Sequence, residues 1–183
     1  MWLGFLFLVI GLIWFLGPRV TVDETIQPLQ LPKNLDQYLD QSESSFNNIR
    51  EGLNKEILWN DPEKKQQTEL SVVYLHGFSA SRLEISPVPE NMSLALGANL
   101  FMTRLSGHGR TGKDLGESSA NEWLQDALEA LEIGKRIGKR VVLMGTSTGG
   151  TLVLWLALKY TISIAASFAK QLTRYGCLLN LEG

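Results

Sequence analysis

Ser147 is the residue of this chain best placed to do chemistry. It is the centre of Gly145-Thr146-Ser147-Thr148-Gly149, a G-x-S-x-G. A serine hydroxyl attacks acyl groups when it is held clear of the backbone and a base takes its proton. The flanking sequence supplies the holding. Val141 to Met144 is an unbroken apolar run, the pattern of a strand buried on both faces. Thr151 to Leu158, TLVLWLAL, is apolar all round and reads as a buried helix. Strand, tight turn with a central serine, and helix are the context of a nucleophile elbow. Gly145 and Gly149 fit that reading, since bulkier neighbours would collide with the strand and helix at so sharp a turn. The helix would aim its first N–H groups at a developing oxyanion. Other readings stay open at this point. A phosphate loop has the spacing of Gly145 and Gly150, but Thr151 stands where its lysine belongs. A G-x-G-x-x-G dinucleotide fingerprint is absent, and an ordinary strand-to-helix turn would also fit.

A second polar turn follows Leu70 to Leu75, LSVVYL, a buried strand running into His76-Gly77-Phe78-Ser79. Gly77 allows the backbone to turn sharply as it leaves the sheet. Asn99 to Leu105 is a further strand and ends in Ser106-Gly107-His108-Gly109. Between these strands, Ser81 to Leu96 reads as a loop and helix. Ser119-Ala120-Asn121-Glu122 is a capping box that predicts a helix from about Ala120 to Ile137. Its inner face is Trp123, Ala127, Leu128, Ala130, Leu131 and Ile137, and Gly138 is its expected C-terminal cap. Strands alternating with helices, with polar turns at strand C-termini, imply a mostly parallel sheet with ligands at that edge.

Composition narrows the function. The 183 residues suit one domain, and 44% hydrophobic content can fill a core. A net charge of −2 gives no basic footprint for nucleic acid. One cysteine, Cys177, allows no intrachain disulfide. The two histidines, His76 and His108, form no cluster with metal-ligand spacing, so no metal or cofactor is expected.

The N-terminal region, residues 1–19, reads as a membrane anchor. Trp2 to Leu16, WLGFLFLVIGLIWFL, carries no charge, and a helix over it rises about 24 Å against a hydrocarbon core of about 30 Å. No basic residue precedes it and no small-residue cleavage site follows, as a signal peptide would require. Trp2 and Trp14 lie near its ends, as interfacial aromatics do. The expected location is therefore a membrane, such as a bacterial inner membrane, by a single N-terminal anchor. Residues 20–33 are a linker. From Asn34 to about Asn54, Leu35, Leu39, Phe46, Ile49 and Leu53 recur at helical spacing. Ile57 to Trp59 reads as a short strand, and Glu63 to Glu69 as a hairpin loop.

From about Leu70 to Tyr160 the chain resembles the α/β-hydrolase superfamily, in its bacterial carboxylesterase and monoacylglycerol-lipase-like branch. The resemblance rests on LHGFSASR (Leu75 to Arg82), NLFMTRLSGHG (Asn99 to Gly109) and MGTSTGG (Met144 to Gly150). It implies an α/β-hydrolase domain over residues 34–183, with Ser147 as nucleophile and an acyl-enzyme formed from an ester or lipid substrate. It also implies oxyanion donors at the backbone N–H groups of Phe78 and Thr148, with His76 shaping the loop. In this superfamily the acid and base follow the serine. Here 36 residues follow Ser147, with no histidine and Glu182 as the sole carboxylate. The expectation is a sheet truncated after the elbow helix, with Ile162 to Phe168 as a possible start of one more strand, and no triad acid or base. Two function classes follow: a membrane-anchored serine esterase or lipase represented in part, or a non-catalytic remnant or binding protein on the same scaffold.

Overall fold

The computed structural model describes residues 2–17, 22, 23, 26 and 29–160. Its elements are helix α1 (Trp2–Leu16), α2 (Leu35–Ser44), strand β1 (Glu56–Leu58), β2 (Thr68–Leu75), α3 (Val88–Leu96), β3 (Asn99–Met102), α4 (Gly112–Glu117), α5 (Ala120–Ile137), β4 (Gly138–Gly145) and α6 (Thr148–Tyr160). The expected strand over Ile162 to Phe168, Cys177 and Glu182 lie outside the described residues.

The strands form one sheet in the order β1-β3-β2-β4. β2 runs parallel to both β3 and β4, and β1 is antiparallel to β3. Side chains alternate across β2, as the two-residue period of a strand requires. Leu70, Val72 and Tyr74 face one apolar cluster with Leu100, Met102 and Val142, closed by Met92 and Leu96 of α3. Val73 and Leu75 face the other, with Phe101, the inner face of α5, and Leu152 and Leu156 of α6. Both faces are covered, so the strands read as unbroken apolar runs rather than alternating ones. The three parallel strands end together, with the loops after β2, β3 and β4 at one edge.

The capping box of α5 is present: the Ser119 hydroxyl accepts from Glu122 N–H, and the Glu122 side chain accepts from Ser119 N–H. Other expectations need correction. α2 ends at Ser44 instead of running to Asn54, because the following residues are engaged elsewhere. The Phe46 ring lies under the guanidinium groups of Arg104 and Arg110, at 5.0 and 4.5 Å, and Asn48 bonds Arg110 and Asp114. The 63–69 segment is no hairpin loop: β1 pairs with β3, so the segment crosses to β2, and Thr68 and Glu69 already belong to that strand. Gly138 does cap α5, its N–H donating to Gly134 O, but in extended rather than left-handed geometry (φ −145°, ψ 150°), and it also opens β4. α6 is not buried all round, since Leu154 and Leu158 are 66% and 85% exposed.

α1 is a helix of 15 residues. Among the described residues, no helix is long and apolar enough to cross a membrane. Leu6, Phe7, Leu8, Ile10, Leu12, Ile13, Trp14, Phe15 and Leu16 are all exposed.

Candidate active site

β4 delivers the chain into the turn that holds Ser147. Thr146 N–H donates to the Leu75 carbonyl at 3.1 Å, tying the turn to the end of β2. Gly149 N–H donates back to Thr146 O at 2.8 Å, and Thr151 N–H to Ser147 O at 3.0 Å, which starts α6. Ser147 itself has φ +50°, a left-handed conformation that costs a non-glycine residue free energy of order 1–3 kcal/mol. The surroundings enforce it. A Cβ at Gly149 would lie 2.0 Å from the Leu75 carbonyl oxygen, and one at Gly145 would lie 2.5 Å from the Gly149 carbonyl carbon. Strand, turn and helix therefore meet with no room for side chains at the two flanking glycines. Ser147 is exposed, beyond the strand ends.

Gly77 brings the loop after β2 against this serine: a Cβ there would be 3.4 Å from Ser147 Cβ. Next to it, Phe78 N–H meets no acceptor among the described residues, although Gly77 N–H and Ser79 N–H on either side are both bonded. Thr148 is the first residue of α6, where helix geometry leaves N–H groups without an intrahelical acceptor. The loop after β2 and the first turn of α6 thus meet at Ser147.

The two histidines clasp the loops together reciprocally. His76, fully buried on the β2 loop, accepts at Nε2 from Leu105 N–H of the β3 loop at 3.1 Å. His108, on the β3 loop, accepts at Nε2 from Ser79 N–H of the β2 loop at 3.1 Å. In each ring, Nδ1 faces a carbonyl: Gly77 O at 2.9 Å for His76, and Ser106 O at 3.1 Å for His108. These contacts fit one tautomer in both rings, protonated at Nδ1 and accepting at Nε2. Burial depresses the His76 pKa to about 4 and also lowers that of His108. In that tautomer neither ring has a free lone pair for Ser147.

Three features were missed in the sequence. Glu84, in the loop before α3, accepts from Gly77 N–H at 2.9 Å and from Tyr74 O–H at 3.0 Å. Arg104 donates to both carboxylate oxygens of Glu43 and, at 3.1 Å, to His108 O, all in buried surroundings. Asp126 of α5 accepts from Ser106 N–H at 2.6 Å and lies in a cluster with Lys55 and Glu129. Burial raises the Asp126 pKa despite the nearby Lys55. The charged residues brace the β3 loop from behind. No spacing rule flags the Arg104–Glu43 and Lys55–Glu129 pairs, because the partners are 61 and 74 positions apart. Among the described residues, no group of His, Cys, Asp and Glu could hold a metal ion.

A parallel sheet with a strained, exposed serine at its carboxyl edge invites comparison with solved folds. The chain superposes on the structure of one of LipS and LipT, two metagenome-derived lipolytic enzymes, with a TM-score of 0.54 and 23% identity, over 62% of this chain and 43% of that one. It has the α/β-hydrolase fold. In sequence it is similar to the thermostable monoacylglycerol lipase of Bacillus sp. (strain H-257), 28% identical over 97 residues, which are 53% of this chain. The match spans 38% of that lipase's length. No protein-family model matches the chain. The resemblance to esterase-like α/β-hydrolases therefore holds in sequence and fold, over part of those proteins.

Proposed function

We propose that this chain is a serine carboxylic-ester hydrolase of the carboxylesterase and lipase type, working through an acyl-enzyme on Ser147. The observation that carries this reading is the exposed Ser147 held at φ +50° where the loop after β2 meets the first turn of α6. Strain of this kind persists only where packing enforces it, and it concentrates at functional sites. In the proposed reaction Ser147 Oγ attacks the carbonyl carbon of an ester. The carbonyl oxygen becomes an oxyanion and takes hydrogen bonds from Phe78 N–H and Thr148 N–H. Collapse of the tetrahedral species expels the alcohol, and water then hydrolyses the acyl-enzyme. The sequence similarity to a monoacylglycerol lipase favours ester and lipid substrates. A base must accept the Ser147 proton, and both histidines of the chain are engaged by backbone groups. That engagement favours a second reading, a poorly catalytic or binding form of the scaffold.

The test uses the full chain in mild detergent with a short activated ester. Slow turnover above the oxyanion-hole background is expected, and Ser147→Ala should fall to that background, the roughly 10³–10⁴-fold over water that triad enzymes keep when stripped of their triad. Equal rates for the two proteins would overturn the esterase reading. Turnover of tens per second would show that a base is in place, and would exclude the second reading.

The proposal extends to location: α1 holds the protein at a membrane. Its support is an uncharged helix whose apolar side chains are exposed. Retention of the chain in membranes through an alkaline carbonate wash is the expected result, and recovery in the wash would contradict it.

A further inference from the structure

The geometry points to Glu84 as the positioning residue that fixes the separation of the two oxyanion donors, an inference that rests on the serine-hydrolase reading above. The two donors belong to different loops, so something must hold one loop at a set distance from the other. The histidine clasp cannot do this, because it joins the β2 loop to the β3 loop and does not touch the elbow. Glu84 does reach across. Its Oε2 accepts from Gly77 N–H at 2.9 Å, one residue before the Phe78 donor, and from Tyr74 O–H at 3.0 Å. The Tyr74 oxygen lies 3.1 Å from Thr146 Oγ1, one residue before Ser147. Tyr74 has one proton, and the Glu84 carboxylate can only accept it. Thr146 must then be the donor to Tyr74. The chain is directional: Thr146 O–H to Tyr74 O–H to Glu84, with Gly77 N–H joining from the other side. It links the residue before the nucleophile to the residue before the first oxyanion donor.

Further details of the structure fit this part. Tyr74 is fully buried at the end of β2, and burial pushes its pKa up to about 12, so it stays a neutral donor. A Cβ at Gly77 would lie 3.1 Å from Glu84 Oε1 and 3.4 Å from Ser147 Cβ, so the carboxylate packs against the loop beside the serine. By engaging Gly77 N–H, Glu84 fixes the His76–Gly77 peptide plane, next to the Gly77–Phe78 plane whose carbonyl is held by His76 Nδ1–H and Ala80 N–H. Without Glu84, Gly77 N–H loses its acceptor and the loop that carries Phe78 loses its tie to Tyr74 and the elbow.

The experiment compares the full chain in mild detergent with Glu84→Ala, Glu84→Gln and Tyr74→Phe, by ester turnover and by the amide resonances of Gly77 and Phe78. Removing one oxyanion donor outright costs roughly 10²–10³-fold in kcat. Misplacing one through Glu84→Ala is expected to lower kcat about 10–100-fold, with KM within about threefold. Glu84→Gln keeps an acceptor for Gly77 N–H and should recover most of the loss, and Tyr74→Phe should fall between. In spectra, the Gly77 amide proton should move upfield and the Phe78 amide should shift in Glu84→Ala, and both should return towards the parent in Glu84→Gln. Unchanged Gly77 and Phe78 resonances in Glu84→Ala would overturn the inference. So would full kcat in that variant, or a loss that tracks only its unfolded fraction. If the parent turns over ester no faster than Ser147→Ala, the esterase reading fails, and the amide resonances still decide whether Glu84 sets the loop.

Discussion

His76 carries the same ring that serves elsewhere as a general base, yet its two nitrogens are spent on Gly77 O and Leu105 N–H. Its chemistry is therefore that of a buried neutral spacer, and this has a consequence for pH. The unfolded pKa is about 6.5 and the folded value is depressed to about 4. Between these values the unfolded chain binds the proton and the folded one does not, so stability falls as pH drops. The contribution is fully present above about pH 6.5 and is lost progressively down to about pH 4, on the order of 3 kcal/mol. His108 shifts in the same direction. Asp126, whose pKa is raised, opposes it, since its protonation relieves a buried charge as pH falls. A substitution isolates the His76 part: the thermal midpoint of the parent should fall between pH 7 and pH 4.5 more steeply than that of His76→Gln. Parallel curves would show that the His76 proton is not linked to folding.

At the scale of elements, the elbow is a junction of β2, β4 and α6 with no slack. Gly149→Ala would put a methyl 2.0 Å from the Leu75 carbonyl oxygen, and either β2 or α6 would have to move. A loss of about 3 kcal/mol or more is expected. One position along, a Cβ at Gly150 would lie 3.5 Å from the Gly145 carbonyl oxygen, an ordinary contact, on the first turn of a helix. Gly150→Ala should be neutral or stabilising by up to about 1 kcal/mol, as helix propensity favours alanine. Urea midpoints of the two variants beside the parent check the pair, and equal midpoints would mean that the turn is looser than its packing implies. This junction was legible in the sequence because each demand falls on neighbouring residues: apolar strand, small residue, serine, small residue, helix. The start of α5 was legible for the same reason, with Ser119 and Glu122 three positions apart. The end of α2 was not. Phe46, Ile49 and Leu53 keep a helical spacing, but Phe46 and Asn48 serve Arg104, Arg110 and Asp114, residues far along the chain. Glu84 and the Arg104–Glu43 pair escaped for that reason too, since tertiary contacts, and no local period, fix their place.

At the scale of the molecule, among the described residues, the sheet and its covering helices bury two apolar clusters, while α1 and α6 each leave an apolar surface open. One is α1, whose exposed side chains motivate the membrane proposal. The other is the outer face of α6. Leu152 and Leu156 point into the core, and Leu154 and Leu158 point away from it at 66% and 85% exposure. Beside α6, β4 pairs with β2 on one side and with no strand on the other among the described residues. An apolar helix face next to an unpaired strand edge is a surface on which copies of the chain associate. Residues 20–183, freed of α1, should therefore migrate as oligomers or aggregate on gel filtration with light scattering. If the α6 face drives this, Leu154→Lys combined with Leu158→Lys should shift the population towards monomer. The thermal midpoint should stay within a few degrees, because neither side chain packs in the core. If the β4 edge drives it, the double variant should remain associated. A parent that runs as a monomer with one cooperative thermal transition would show that neither surface governs association.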